Sequence, residues 1–244
     1  LLALALVGVC MLRAAPAGPE ALLPEPEFPA GRPRLVLLGV NSQGFQEYRN
    51  RTDGTTLIRI PQGEFTMGTD DARARADERP AHRVRVEEFL IGKHEVTYRQ
   101  FQHFLEVTGS WSPRENREER ARAGDQAPVV HLDWYGVQDY CRWAGLRLPT
   151  EAEWEKAARG DDGRRYPWGP TWGPGRAWSA EDPPGRARTV GARPRGTSPY
   201  GCLDMSGNVW EWCLGWYDRY PGGREDPAQD TARRVVRGGS WSSE

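Results

Sequence analysis

The stretch that most limits how this chain can fold is Asp161 to Pro199, a run of Gly, Pro, Arg and Trp with no helical or strand periodicity. A segment of that length inside a domain is held by anchoring side chains, and such segments are usually functional or bound to something. It leads into SPYGCLDMSGNVWEW, Ser198 to Trp212. Small residues there let the backbone bend close to a ligand, and Asp204 and Glu211 supply charged oxygen. The indoles of Trp210 and Trp212 can exclude water. Two readings stay open on this chemistry: a loop wrapped on a hard cation, or a Trp-anchored turn whose acids face solvent. Composition favours many anchored turns over regular helix, with 28 Gly, 20 Pro and 11 Trp beside only 38% hydrophobic residues. So many large aromatics argue for a packed core and against disorder.

Periodic elements lie mainly upstream. Leu35–Val40 reads as a strand. Thr55 to Phe65 reads as a strand, a Pro-Gln-Gly turn and the start of a second strand. Arg83–Val86 alternates strictly, as a half-buried strand does, and Phe89–Ile91 stays apolar. Thr97 and Gln100 form a capping box for a helix over Tyr98–Glu106 that Gly109 ends. Arg114–Gly124 reads as a solvated charged loop. Asp133 caps a helix carrying Trp134, Val137 and Cys141 on one face. Thr150 and Glu153 box a third helix, with Trp154, Ala157 and Ala158 as its stripe and Gly160 as its stop. Glu151 and Glu155 are one turn apart and read as first-turn acids complementing the helix dipole, not as a catalytic pair. Asn50-Arg51-Thr52 is formally a glycosylation sequon. Val235–Trp241 reads as a final strand.

Charge and cysteine usage narrow the chemistry. With 33 basic and 34 acidic residues the net charge is -1, which supplies no basic field for nucleic acid. Cysteines 10, 141, 202 and 213 show no C-x-x-C spacing, and four histidines show no H-x-x-x-H, so no zinc site is expected. Residues 1–13 are an apolar run, read as a signal or membrane-anchor remnant. Residues 14–34 form a Pro/Ala/Gly-rich linker, and 35–54 a lead-in segment to a domain spanning 55–244. The expectation is an exported (periplasmic or extracellular) or membrane-tethered protein.

Six motifs then fall in one order: IPQGEFTMG from Ile60, GKHEVTYRQF from Gly92, WAGLRLPTEAEWEKAARG from Trp143, YPWG from Tyr166, SPYGCLDMSGNVWEW from Ser198 and RGGSW from Arg237. Together they resemble the formylglycine-generating enzyme, or sulfatase-modifying factor, family over about Thr55 to Trp241. The resemblance implies an α+β fold, a loop-rich variant of the C-type lectin fold with small twisted antiparallel sheets, a few short helices and bound calcium. It also implies an activity in which two cysteines hold copper(I) and dioxygen oxidises a protein cysteine to formylglycine. Soft thiolates suit Cu(I) far better than oxygen ligands do.

Carried over residue by residue, the family calcium loop matches Asp204, Gly207, Val209 and Glu211, with carboxylates from the first and last and main-chain carbonyls between. A second family calcium site takes an Asn where this chain has Trp178 in Arg176-Ala177-Trp178. Trp210 and Ser240 match positions bordering the family's oxygen pocket. Cys141 matches a family disulfide position. The first copper ligand falls at Ser243 and the second past Glu244, so the domain is expected to be C-terminally incomplete. An unpaired strand edge is then expected near Val235–Trp241. No catalytic residue is assigned, and copper enters only if further chain supplies thiolates. The alternative to an oxidase is a non-catalytic, calcium-stiffened recognition or scaffold domain, whose partner is a protein or peptide client or a glycan.

Overall fold

Short strands form where apolar and polar residues alternate, and long irregular runs separate them. The computed structural model describes residues 35–181, 185–217, 220–221 and 233–243. Its strands are β1 (Leu35–Val40), β2 (Gln46–Asn50), β3 (Thr56–Ile60), β4 (Gly63–Met67), β5 (His82–Val86), β6 (Phe89–Gly92), β7 (Glu211–Trp216) and β8 (Arg234–Arg237). Its helices are α1 (Tyr98–Thr108), α2 (Arg114–Ala123), α3 (Trp134–Ala144) and α4 (Glu151–Arg159). This is the expected α+β architecture of small antiparallel sheets with a few helices.

One sheet runs β1-β2-β3-β6, and β4-β5 and β7-β8 are two-stranded ribbons. Leu57, Ile58 and Ile60 of β3 are fully buried, which makes that strand the spine of the core. The lead-in is part of the same sheet, since β2 pairs with β3 through Glu47–Ile58, Tyr48–Leu57 and Arg49–Thr56. The Pro61-Gln62-Gly63 turn makes no hairpin; it passes the chain from one sheet to the next ribbon. Lys156 of α4 clamps it, Nζ donating to the carbonyls of Pro61 (2.7 Å) and Gly63 (3.2 Å). Burial lowers the pKa of that ammonium.

Capping residues place three helices as the sequence predicts. Thr97–Gln100 and Thr150–Glu153 close reciprocal capping boxes, and Asp133 accepts from the Gly136 amide. Gly109 and Gly145 end their helices in the left-handed conformation. Arg114–Ala123 corrects the expectation of a loop. It is helical although charged on almost every face, supported by the Arg114–Glu118 pair one turn apart (2.7 Å). Its one buried residue is Asn116, whose amide donates to the Val130 carbonyl at 2.6 Å.

The formal sequon is buried, and the final strand is shortened. The sequon asparagine, Asn50, is fully buried and its Nδ2 donates to the Ala144 carbonyl at the end of α3 (2.9 Å). The final strand is shorter than Val235–Trp241: β8 stops at Arg237, and the Trp241 amide turns back to the Asn208 carbonyl (2.9 Å). Among the described residues β8 pairs only with β7, so its outer edge meets no strand. The expectations for residues 1–34 lie outside the described residues. No described helix is long and apolar enough to cross a membrane.

Candidate functional site

The loop from Cys202 into β7 owes its shape to three consecutive demands on the backbone. Asp204 and Asn208 hold left-handed φ values of 57° and 55°, and Gly207 lies at 83°. Asn and Asp tolerate that region because their short polar side chains bond locally. Asn208 uses every polar atom. Its amide donates to the Trp178 carbonyl (2.8 Å) and its Oδ1 accepts from the Arg188 amide (2.9 Å). Its Nδ2 donates to Glu95 Oε1 (2.9 Å) and, more weakly, to the Arg188 carbonyl (3.3 Å). Gly207 touches the Trp178 carbonyl so closely that a Cβ would sit 2.1 Å from that oxygen.

Around this loop three carboxylates gather out of water. Asp204 and Glu211 come from the loop and the first residue of β7. Glu95, which the sequence reading did not single out, comes from the turn between β6 and α1. All three are buried. Burial raises the Glu95 carboxyl well above its usual range, and the charges of Asp204 and Glu211 add to the effect. Burial likewise raises Asp204, and it pushes Glu211 up to about 8, against a 2.6 Å bond from the Trp154 indole. Glu95 Oε2 is buried with no N–H or hydroxyl donor beside it, and the Glu95 and Asp204 carboxyls lie within hydrogen-bond reach of each other. The Glu95 neighbours Lys93, His94 and Thr97 are polar, so nothing local in the sequence marks its carboxyl as buried.

Three buried acids, with no lysine or arginine acting on Glu95 and Asp204 and only the His94 charge on Asp204, are compatible with a proton shared between Glu95 and Asp204 and with a hard cation at Asp204 and Glu211. No three His, Cys, Asp or Glu side chains among the described residues are arranged to hold a metal by themselves. Carbonyls of Gly207 and Val209 would therefore have to complete the shell, as the family loop implies. The donor set is all oxygen, so calcium fits and copper does not.

Where the family's second cation would lie, this chain places positive charge of its own. The guanidinium of Arg193 stacks 3.6 Å from the Trp178 ring centroid, with that of Arg188 at 5.8 Å. Trp178 offers no side-chain oxygen at that position.

The positions linked to oxidase chemistry are serines. Ser243 Oγ accepts from the Ser240 amide (3.0 Å) and lies 3.2 Å from Ser240 Oγ, while Ser242 Oγ lies 3.0 Å from the same atom. Ser240 is buried, and Trp210 is half-buried just before β7. Cys202 and Cys213 flank the loop and are fully buried, which pushes the Cys202 thiol up to about 12 and raises Cys213 strongly.

Glu151 and Glu155 do more than face a helix dipole. Glu155 Oε1 accepts from the Gly68 amide (2.7 Å) and from Arg159, and Oε2 accepts from Arg237 of β8. Glu151 lies 3.4 Å from Arg237 and accepts from the Tyr220 hydroxyl at 3.2 Å. These partners tie α4 to β8 and to the end of β4, a structural junction beside the Asp204–Glu211 loop. Trp154 joins the two, since its indole N–H reaches Glu211 while Arg237 lies 5.8 Å over its ring.

Known proteins are similar to this chain in sequence and in fold. A family described as "Sulfatase-modifying factor enzyme 1-like domain" matches residues 42–244. The serine/threonine-protein kinase pkn1 of Chlamydia pneumoniae is 38% identical over 217 residues, 78% of this chain and 33% of the kinase. The chain thus spans about a third of that relative's length. The inactive C-alpha-formylglycine-generating enzyme 2 of Bos taurus is 33% identical over 263 residues, 86% of this chain and 83% of that protein. Among solved structures, PvdO from Pseudomonas aeruginosa aligns with a TM-score of 0.64 at 26% identity, covering 81% of this chain and 87% of its own. On the family match and the shared fold, this chain belongs to the sulfatase-modifying factor, or formylglycine-generating enzyme, family.

Proposed function

We propose that this chain is a non-catalytic recognition domain of its family, stiffened by one calcium ion and working as an exported or membrane-tethered protein. The observation that carries the reading is Ser243. At the family's first copper position stands a hydroxyl already engaged by the Ser240 amide, which will not hold Cu(I) as a thiolate does. The family's activity on a protein cysteine is therefore expected to be absent. Incubated with copper, dioxygen and a sulfatase-type cysteine peptide, the chain should leave the thiol intact by mass spectrometry. Conversion of the cysteine to an aldehyde would overturn the proposal.

Calcium enters as a structural ion. Asp204 and Glu211, with the Gly207 and Val209 carbonyls, are the groups that would hold it. Binding to the folded state alone stabilises by about 2.7 kcal/mol when free calcium is about 100 times its Kd. EDTA should then lower the thermal midpoint by several degrees, and Glu211→Gln should abolish the difference. An unchanged midpoint in EDTA, with no calcium found by elemental analysis, would remove the ion from the proposal. A stiffened core of this kind would present the long irregular segments as a surface for a protein or glycan.

A further inference from the structure

Much of the run from Asp161 to Pro199 is used neither by the core nor by the cation loop, and it carries an unusual surface. Tyr166, Trp168 and Trp172 meet one another with ring centroids 5.3–5.4 Å apart, Tyr166 and Trp168 nearly parallel at 5°. All three are half-buried. Arginines border them: Arg165 lies 5.6 Å over Tyr166 and Arg176 5.9 Å over Trp168. Arg176 also donates to the Arg195 carbonyl (3.4 Å). Gly196 packs against Trp168, a Cβ there lying 3.6 Å from the ring, which brings the exposed Arg195 to the same patch.

The charge of this segment runs against that of the chain as a whole. From Asp161 to Pro199 there are seven arginines against four acids, although the full chain has a net charge of -1. Of the acids, Glu181 is taken up by the Trp172 indole (2.6 Å) and Asp162 by Arg164 (2.7 Å). Trp168 also spends its N–H internally, on the Thr171 carbonyl (2.9 Å). The indoles therefore present apolar surface, and the groups beside them with capacity for an anionic ligand are the guanidiniums of Arg176 and Arg195, with the Tyr166 hydroxyl. Arg176 and Arg195 have no carboxylate partner among the described residues. Prolines 167, 170 and 174 stiffen the segment, which lowers the cost of ordering it on binding.

We propose that the Tyr166–Trp168–Trp172 platform, with Arg176 and Arg195, docks an acidic segment of a partner protein in which Asp or Glu alternates with large apolar side chains. The inference rests on the recognition reading above and names the chemistry of the partner. A sugar is the poorer occupant, because its hydroxyls call for acceptors as well as donors. Asp161 to Pro199 contains no Asn, Gln or His, and Asp162 is held by Arg164. Carboxylates meet guanidinium forks directly, and aromatic rings with arginine are the side chains enriched at protein interfaces.

The test is fluorescence anisotropy of the full chain with a fluorescein-labelled synthetic peptide alternating Glu with Leu and Phe. Saturable binding that weakens with added salt is expected, and the same peptide with Gln for Glu should not bind. R176E/R195E should weaken binding about tenfold, two exposed charge pairs being reversed. R195E alone, at an exposed position where folding is not at stake, should weaken it about threefold. Wild-type failure to bind, equal binding by R195E, or equal binding of the Gln peptide overturns the proposal. So does binding of a polyuronate glycan with the peptide unbound. The cysteine-peptide assay separates the two levels: turnover there sinks the recognition reading itself. An intact thiol with a failed anisotropy result sinks only this partner.

Discussion

Glu155→Ala is expected to lower the stability of the domain by about 3–5 kcal/mol, the range seen when one partner of a buried ion pair is removed. The side chain is 1% exposed and sits between the guanidiniums of Arg159 and Arg237, with the Gly68 amide on the same carboxylate. Truncation leaves Arg237, whose side chain is 19% exposed, with Glu151 at 3.4 Å as its remaining carboxylate. It also strands a buried main-chain N–H. At about 2–4 °C per kcal/mol for a domain of this size, the thermal midpoint should fall by on the order of 10 °C. Glu155→Gln keeps the shape and one acceptor, so it should cost roughly half as much. Urea unfolding of the two variants checks this. A loss below about 1 kcal/mol for the alanine would show that Glu151 alone can hold β8 in place.

Gly207→Ala is expected to cost about 2–4 kcal/mol, through left-handed strain together with a steric clash. The added carbon would meet the Trp178 carbonyl at 2.1 Å, too close for any rotamer change to relieve. That carbonyl accepts the Asn208 amide, so the loop can move away only by breaking the bond that seats Asn208. The damage should extend to the ion, because Gly207 is one of its proposed carbonyl ligands. Calorimetry with and without calcium should show a lower midpoint and a smaller calcium-induced rise than in wild type. A full calcium response in the alanine variant would mean that the Gly207 carbonyl is not a ligand.

Local signals were legible wherever one short stretch carried the whole instruction. The caps at Thr97, Asp133 and Thr150 are complete within four residues, and those helices begin where the caps place them. The Asp204–Glu211 loop could be read in the same way, through its glycine, its acids and the motif around it. What stayed hidden depends on partners far along the chain. Glu95 meets Asn208 across 113 positions, and Glu155 meets Gly68 and Arg237 across 87 and 82. Nothing next to either glutamate names those partners. Helix α2 was missed for a different reason: with almost no apolar stripe, its order comes from ion pairs and from Asn116 reaching the Val130 carbonyl.

Asn50 gives the fold a record of its own assembly. The nitrogen a glycan would occupy is fully buried against the Ala144 carbonyl, so the folded state leaves no room for a sugar there. Sugar can reach Asn50 only before the end of α3 closes over it. In a host that glycosylates exported chains, the fraction of protein carrying a glycan at Asn50 would count the molecules caught before that closure. Those molecules could not then complete the fold.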